Sequence, residues 1–296
     1  GKCVYTHMLN PDGGIETDLT VVCIEKDHFR IISSAATRER DKFHINKHLA
    51  KDVELKDVTD DYCVFGVFGP KSRALMKSIS KDNFENDNFR FSTAKYITIE
   101  GIKIWTQRLS YVGELGYELY VKSEDAKKIY ELLVNKGKDF NLSNCGMHAM
   151  DIMRMESGFL HWGHDISPEE NQYQAGLSFT ISSKKEDEFI GKKALEKIKK
   201  EKIKSRFAMF TLKDSKPGEP LLLHDEPIYL ENKIIGRSTS GNYSFNFRKN
   251  LTFGYINNDI SNDELHKKDL FIEVEKKKYP IELIKKPLKQ TNFKNN

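Results

Sequence analysis

The chain reads IKIWTQRLSYVGELGYELYV from residue 102 to residue 121. Its two ends, residues 102–109 and 117–121, are rich in β-branched and aromatic side chains, which predicts two strands. Gly113 and Gly116 lie between them, and glycine permits the tight backbone excursion that a short bend needs. This stretch therefore predicts a pair of strands joined by a glycine-containing bend.

The segments on either side of this pair predict an α+β fold. Upstream, apolar runs at 19–24 and 29–32 surround a polar break and predict a β-hairpin. Downstream, residues 123–137 and 147–157 have the capping residues and the apolar spacing of helices. Strands and helices therefore follow one another without the regular βαβ alternation of a parallel sheet.

After about residue 205 the sequence consists of short apolar segments at close spacing. The predicted strands are 207–212, 227–230, 233–238, 251–256, 270–275 and 279–284. Such a series predicts a small antiparallel barrel or sandwich. We therefore predict two domains, residues 1–200 and residues 201–296, with their boundary in the lysine-rich stretch 191–206.

Composition argues against several classes of protein. The chain has 296 residues, with 48 Lys and Arg against 44 Asp and Glu, and this near balance argues against nucleic-acid binding. It has no apolar run of the ~20 residues that a membrane helix needs. Its four cysteines form no C-x-x-C pair, which fits a reducing compartment, the cytoplasm or, in a eukaryote, the mitochondrial matrix. The motifs G-x-G-x-x-G, G-x-x-x-x-G-K-[ST] and G-x-S-x-G do not occur.

Three features could carry chemistry, and each has a structural alternative. Asp18 precedes an apolar run in which aspartate is disfavoured, so it either ends the preceding turn or offers a carboxylate at the mouth of a pocket. Residues 108–120 carry rings and carboxylates around the bend, as in a loop that clasps a heterocycle or in an ordinary hairpin. Arg154 lies among apolar helix positions and needs either an internal ion pair or a ligand.

Histidines occur in two pairs that could suggest a metal site. His161 and His164 are close to Asp165, and His44 and His48 are one helical turn apart. Neither pair has the further ligands, in the spacing, that zinc sites need. We therefore predict no metal site.

Ordered blocks along nearly the whole chain resemble the folate-dependent aminomethyltransferase family, the glycine cleavage T-protein and its relatives. The matching blocks are YTHMLNPDGGIETDLTV (5–21), RLSYVGELGYELY (108–120), RMESGFLHWGHDI (154–166) and IIGRSTSGNYS (234–244). FIGKKAL (189–195) and DEPIY (225–229) match as well. In the variants D-L-T-V and S-Y-V-G-E-L-G-Y-E-L-Y, the chain most resembles the carboxyl-terminal half of dimethylglycine and sarcosine dehydrogenases.

The resemblance implies a T-protein-like folate-binding body with a ferredoxin-like substructure, followed by a small β-barrel, and tetrahydrofolate bound in a central cavity. Asp18 matches the family's catalytic carboxylate, and Tyr111 matches a tyrosine that accompanies it. Glu118 matches the carboxylate that reads the amide and amino edge of the pterin. The implied folate-binding residues are Thr20, Glu118, Leu119, Tyr120 and Arg154.

The activity that the resemblance implies is the capture of an iminium, formed from a methylated amine, to give 5,10-methylenetetrahydrofolate. A flavin dehydrogenase domain or partner subunit that carries FAD would generate the iminium. The family's opening blocks, E-H-x-x-x-R and x-x-D-x-S, have no counterpart, so we expect that part of the pattern and any flavin domain to be missing from this chain. Gln174 stands where the family has a carboxylate, so a folate contact there is not carried over.

Two other functions of proteins with this fold are alternatives to the capture of an iminium. A stand-alone glycine cleavage T-protein would use an aminomethyl-lipoyl carrier and would release ammonia. A non-catalytic folate-binding protein would carry the signature K-G-C-[FY]-x-G-Q, which the chain lacks.

Overall fold

The computed structural model describes residues 1–182, 186–290 and 294. The chain forms two compact units. The described part of the first unit is Gly1–Thr6, Leu19–Gly146 and Lys294, and the second unit combines His7–Asp18 with the described part of Met147–Gln290. The segment 7–18 thus belongs to a different unit from the residues on both sides of it.

The amino-terminal strands form a three-stranded sheet in the order β1-β2-β3. These strands are β1 (Cys3–Leu9), β2 (Ile15–Glu25) and β3 (His28–Ile32), and helix α1 (Arg38–His48) follows them. The turn between β1 and β2 is held by Asn10, whose Oδ1 accepts hydrogen bonds from the main-chain N–H groups of Asp12 (3.0 Å) and Gly14 (2.9 Å).

A four-stranded antiparallel sheet organises the first unit, in the order β4-β7-β6-β5. Its elements, with the two helices that pack on it, are β4 (Tyr62–Phe68), α2 (Ser72–Ile79), β5 (Thr93–Ile99), β6 (Ile102–Arg108), β7 (Gly116–Lys122) and α3 (Ala126–Gly137). Alternate side chains of the strands, such as Ile97, Ile104 and Leu119, form one apolar core with Leu75 of α2 and Ile129 of α3.

The opposite face of this sheet carries a second and smaller core. Trp105 and Tyr120 lie there with Ala94, and they pack against Cys3 and Val22. Because successive residues of a strand point to opposite faces, the four-stranded sheet separates these two cores residue by residue.

The second unit contains a closed antiparallel barrel, with strand order β10-β11-β8-β13-β12-β9. Its elements, with the helices that accompany the barrel, are α4 (Met147–Glu156), α5 (Lys192–Lys200), β8 (Ser205–Leu212), β9 (Pro227–Leu230), β10 (Lys233–Ser244), β11 (Lys249–Asn257), α6 (Asn262–Lys267), β12 (Leu270–Val274) and β13 (Lys277–Ile284). Phe210, Ile228 and Ile272 belong to the core cluster to which all six strands contribute.

A further core of the second unit joins α4 to the barrel. Ile152 and Met155 of α4 share this core with Leu251 and Phe253 of β11, and Ile15 belongs to it as well. Helix α4 is therefore fixed by apolar packing along one side, which leaves its remaining polar groups in defined positions.

The predicted α+β class and the carboxyl-terminal antiparallel barrel are both confirmed, and the six strands close into a barrel rather than forming a sandwich. The boundary near residue 200 stays a prediction. In the described part of the chain, none of the helices combines the length and the apolar character needed to cross a membrane.

Candidate active site

The bend between β6 and β7 is an ordered loop of the first unit. Val112 and Leu115 are buried in it, and Gly113 adopts a φ of 66°, in the left-handed region that favours glycine. The main-chain oxygen of Leu115 accepts hydrogen bonds from Gly69 N (2.8 Å) and from Ser72 Oγ (3.0 Å). The loop is thereby attached to the start of α2, and Tyr111 lies on it, partly exposed.

Gly116 begins β7 and is needed for a different reason. A Cβ atom built there would lie 2.0 Å from Cδ1 of Phe68, and one built at Gly66 would lie 2.4 Å from Cε2 of the same ring. The Phe68 ring therefore rests directly on backbone at both positions. These two glycines leave room for the Phe68 ring on the face of the sheet that carries Glu118.

Glu118 is the central candidate of the first unit. The residue as a whole is partly exposed, and its Oε2 accepts a hydrogen bond of 2.9 Å from the Tyr120 hydroxyl. Burial raises the pKa of Glu118 above the usual value of 4.5, although the Tyr120 hydrogen bond acts in the opposite direction. Burial also raises the pKa of Tyr120, so this phenol stays a hydrogen-bond donor.

Strand register places Glu118 in a row of small and polar side chains that crosses the sheet. Gly66 is directly opposite Glu118 on β4, Gln107 is opposite it on β6, and Ala94 is opposite Gln107 on β5. Residues that pair directly across strands lie on the same face, with Cβ atoms about 5 Å apart. Glu118 and Gln107 thus lie side by side between Gly66, which the Phe68 ring covers, and the small side chain of Ala94.

Aromatic rings lie beside this row on the same face of the sheet. The next row contains Tyr120 and Trp105, which are cross-strand partners, and Tyr96, which is paired with Trp105. The Tyr96 and Trp105 rings meet edge to face at 4.9 Å. The guanidinium carbon of Arg30 lies 5.5 Å from the Trp105 ring centre and 6.0 Å from that of Tyr120.

Several polar atoms on this face are buried without a hydrogen-bond partner among the described residues. They are both polar atoms of the Gln107 amide, Nε1 of Trp105 and Nη1 of Arg30. A buried polar group that lacks a partner costs about 1–3 kcal/mol, and such groups are uncommon in native proteins. The face around Glu118 is therefore rich in unsatisfied hydrogen-bonding capacity.

Two other predicted folate-binding residues of the first unit lie on β2 and β7. Thr20 is partly exposed and pairs with Ile32 of β3. Leu119 is fully buried, and its side chain lies in the core on the face opposite Glu118. The sheet thus brings Glu118 and Tyr120 together and directs Leu119 away from them, and the roles of Thr20 and Leu119 stay predictions.

Asp18 lies inside strand β2 and does not end the turn before it. Its side chain is partly exposed, whereas its neighbours Thr17 and Leu19 are buried. This alternation puts the Asp18 carboxylate on the more open side of the strand. Its catalytic role, like that of Tyr111, stays a prediction.

Arg154 of α4 is almost fully buried and its guanidinium bonds within the second unit. Its Nη1 lies 2.5 Å from Oδ2 of Asp165 and donates to the Phe159 carbonyl (3.0 Å), and its Nη2 donates to Ser240 Oγ (2.7 Å). Its Nε bonds Asp151 at 2.9 Å. Of the two alternatives that the sequence leaves open, the internal ion pair is present, and a contact with folate stays a prediction.

Asp165 lies at the centre of this hydrogen-bond network. Its Oδ1 accepts hydrogen bonds from Thr239 (2.5 Å) and Ser240 (2.8 Å) of β10, and its main-chain oxygen accepts one from the Tyr255 hydroxyl (2.8 Å). The carboxylate therefore binds α4, its own loop and two barrel strands into one buried polar cluster.

The histidine pairs lie on two different units. The rings of His161 and His164 are 4.6 Å apart in the second unit, and those of His44 and His48 are 5.0 Å apart in the first. Among the described residues, no group of three or more His, Cys, Asp or Glu side chains is arranged to hold a metal ion.

Gln174, which replaces a carboxylate of the family pattern, is used within the second unit. Its Oε1 accepts a hydrogen bond of 2.5 Å from Asn171 Nδ2, and its Nε2 donates to Ser205 Oγ at 3.0 Å. The side chain thus connects the 171–174 turn to the start of β8.

Sequence reasoning missed Gln107, Trp105 and Arg30 in the first unit. The signal for two of them was available, because Trp105 and Gln107 alternate with Ile104 and Thr106 in a strand. That alternation predicts a polar amide and an indole on one face, but it does not say which strand lies beside them. In the second unit, Asp165 was weighed as a metal ligand and not as the partner of Arg154.

Comparison with known proteins gives consistent matches over nearly the whole chain. The model of the GCVT N-terminal domain matches residues 1–185, and that of the glycine cleavage T-protein C-terminal barrel domain matches residues 206–289. A solved structure, the glycine cleavage system aminomethyltransferase T from Bartonella henselae, shares the fold. It superposes with a TM-score of 0.83 over 98% of this chain and 76% of that one, at 21% sequence identity.

Curated relatives include both dehydrogenases and aminomethyltransferases. The chain is 32% identical to human dimethylglycine dehydrogenase over 295 residues, which are 98% of this chain and 33% of that protein. It is 33% identical to the 4-methylaminobutanoate oxidase (formaldehyde-forming) of Paenarthrobacter nicotinovorans over 97% of this chain and 34% of the oxidase. It is 30% identical to the aminomethyltransferase of Alkaliphilus metalliredigens over 99% of this chain and 78% of that protein. The chain thus spans about a third of the first two relatives and most of the third.

Proposed function

Because the chain belongs to the glycine cleavage T-protein family, we propose that it transfers one-carbon units to tetrahydrofolate. In the finer form of this proposal, it is the folate part of a dimethylglycine or sarcosine dehydrogenase-like enzyme. A flavin domain or subunit with FAD oxidises the methylated amine to an iminium, and this chain captures the iminium carbon.

One observation carries the proposal beyond family membership. Glu118, a partly exposed residue, lies on a sheet face with the rings of Tyr120 and Trp105 in the next row and the Phe68 ring packed over Gly66. A flat heterocycle with adjacent N–H donors needs such surroundings, since rings pack against its faces and a carboxylate accepts from its edge. The unpaired polar atoms around Glu118 fit a ligand of that polarity.

Binding and orientation belong to Glu118 in this proposal. Its two oxygens accept from the N3–H and the 2-amino group of the pterin, a bidentate arrangement that fixes the plane and direction of the ring. The Tyr120 hydroxyl, already bonded to Oε2, holds the carboxylate in place. Tetrahydrofolate supplies two nucleophilic nitrogens, N5 and N10. In the product, the one-carbon unit bridges these two atoms.

Asp18 has the catalytic role in this proposal. When N5 bonds to the iminium carbon, the N5 proton has to leave. When the bond between that carbon and the amine then breaks and N10 closes the ring, the amine has to receive a proton and the N10 proton is released to solvent. A carboxylate can take the first proton and return it in the second step, and as an anion it also stabilises the cationic iminium. Tyr111 is proposed to assist Asp18.

The experiment separates binding from catalysis. Glu118→Gln should weaken tetrahydrofolate binding at least tenfold in calorimetry, whereas the matched change of the exposed Glu124 to Gln should leave it unchanged. Asp18→Asn should slow 5,10-methylenetetrahydrofolate formation while binding is kept. Tetrahydrofolate binding that is absent from the wild-type chain, or equal in Glu118→Gln, would refute the proposal for Glu118.

The aminomethyltransferase relatives that the chain spans over most of their length favour a second candidate function. In it, the chain acts on the aminomethyl-lipoyl carrier of glycine cleavage. Ammonia released from the loaded carrier in the presence of tetrahydrofolate would establish this function. Methylene transfer from a dimethylglycine-derived iminium without a carrier would establish the first one.

A further inference from the structure

Gln107 is a buried residue that the resemblance to the family does not single out. Its side chain is fully buried on β6, and neither its Oε1 nor its Nε2 has a hydrogen-bond partner among the described residues. An amide has donors and an acceptor, so leaving all of them unpaired is more costly than placing an apolar side chain there. Packing alone would favour leucine or methionine at this position.

The position of Gln107 relative to Glu118 suggests what the amide is for. The two residues are direct cross-strand partners, so their side chains leave the same face about 5 Å apart at Cβ. Their outer neighbours in the row are Gly66, which the Phe68 ring covers, and Ala94, which has a small side chain. Glu118 and Gln107 therefore form a continuous polar strip, with two acceptor oxygens followed by a donor.

The edge of a pterin presents the complementary order. The 2-amino group and N3–H are donors, and the 4-carbonyl oxygen beside them is an acceptor. A carboxylate followed by an amide N–H matches these three groups in sequence. Glu118 alone satisfies only the first two of them.

We propose that Gln107 is a specificity-determining residue that donates from Nε2 to the 4-carbonyl oxygen of the pterin while Glu118 accepts from N3–H and the 2-amino group. The inference rests on the proposed function. It includes a change of rotamer, because both amide atoms are closed to solvent in the ligand-free chain, and the side chain turns toward Glu118 when the ligand arrives. The unpaired amide of the free protein is then the group that the ligand satisfies.

Gln107→Leu tests this arrangement by two readouts that move in opposite directions. Tetrahydrofolate affinity should fall about tenfold by calorimetry, the loss expected when a ligand carbonyl is left without its donor. The melting temperature of the ligand-free protein should stay the same or rise, because the variant removes a buried unpaired amide. A merely structural glutamine would give a lower melting temperature and an unchanged affinity.

Thr106→Val is the matched control, since Thr106 is its neighbour on β6 and is buried on the opposite face of the sheet. It should change affinity less than twofold. A 2,4-diaminopteridine, which has an amino group in place of the 4-oxygen, provides a selectivity readout. Wild type should prefer tetrahydrofolate over it by a larger factor than Gln107→Leu does.

The outcomes distinguish this inference from the proposed function. Equal tetrahydrofolate affinity in wild type and Gln107→Leu overturns the inference and leaves the function intact. No binding by wild type overturns both. If Gln107→Leu does not fold, the side-chain amide resonances of Gln107 in the 15N-labelled wild type decide, since they must shift when tetrahydrofolate is added and would stay in place if the amide made no contact.

Discussion

Arg154 illustrates how one residue can depend on several distant parts of the sequence. Its guanidinium is buried and bonded to Asp165, Ser240 and the Phe159 carbonyl. A buried ion pair gains little over an apolar pair, but removing one partner leaves an uncompensated charge. The residue therefore stabilises the second unit only as long as its carboxylate partners, Asp165 and Asp151, are present.

Asp165→Asn should lower the free energy of unfolding by about 3 kcal/mol, because it removes the fully buried anion of Arg154 and leaves the partly exposed Asp151 carboxylate to balance the charge. Urea unfolding followed by circular dichroism measures this loss. The control is Glu264→Gln in α6, which removes an exposed ion pair with Lys268 and should leave the melting temperature unchanged. Equal effects of the two variants would contradict the buried network.

Glu118 should give the stability of the protein a specific dependence on pH. Its pKa in the folded chain is raised above 4.5 by burial, so the folded state holds this proton more tightly than the unfolded state does. Its contribution to stability is therefore complete below about pH 4.5 and is lost as the pH rises through the raised pKa. Unfolding free energies of wild type and Glu118→Gln over a pH series measure the effect.

The wild type should lose stability relative to Glu118→Gln as the pH increases through this range, because glutamine does not titrate. Parallel curves for the two proteins would mean that the carboxyl group has the same pKa folded and unfolded.

At the scale of elements, the start of β7 at Gly116 depends on the Phe68 ring that packs against it. The Phe68 ring of β4 occupies the space where side chains at Gly66 and Gly116 would be. The ring and the start of β7 are thus coupled through van der Waals contact, in addition to the pairing of β4 with β7.

Gly116→Ala should destabilise the protein by about 1–3 kcal/mol, the usual cost of overpacking. Most of that cost should disappear when the same change is made in a Phe68→Ala background, since the ring it meets is then absent. A double-mutant cycle in urea measures the coupling. Additive effects would show that the backbone, rather than the ring, demands glycine at this position.

The sequence predicted the elements whose pattern is local and missed those whose pattern is weak. The strands of the barrel and helix α4 follow from apolar alternation and helical spacing. Strand β1 was not predicted as a separate element, and α5 was interpreted only as a lysine-rich stretch, because its buried face is little more than Leu195. The resemblance predicted Glu118 as a site residue. Gln107 could not be predicted in this way, because its place beside Glu118 depends on the register of β6 against β7, and the sequence of one strand does not contain that register.

At the scale of the molecule, the two units differ in how their sheets end. The barrel is closed, so each of its strands has a partner on both sides. The four-stranded sheet is open, and β4 pairs with β7 on one side only in the described chain. Main-chain hydrogen bonding is therefore more complete in the second unit's sheet than in the first unit's.

Hydrogen exchange should reflect this difference. Amides of β11, which lies between β10 and β8, should exchange more slowly than those of β4, because alternate amides of an edge strand have no partner strand. Exchange measured by mass spectrometry on peptides covering 62–68 and 249–257 checks this. Equal protection of the two strands would indicate that something other than the sheet covers the edge of β4.

The interruption of the second unit by the first has a consequence for biosynthesis. Residues 7–18 leave the ribosome before the whole of Leu19–Gly146, yet their packing partners in α4 and β11 are translated only afterwards. At usual elongation rates the delay is on the order of ten seconds. During that time Leu9 and Ile15 are apolar side chains without their native core, so this short segment stays unpacked until the rest of the second unit has been translated.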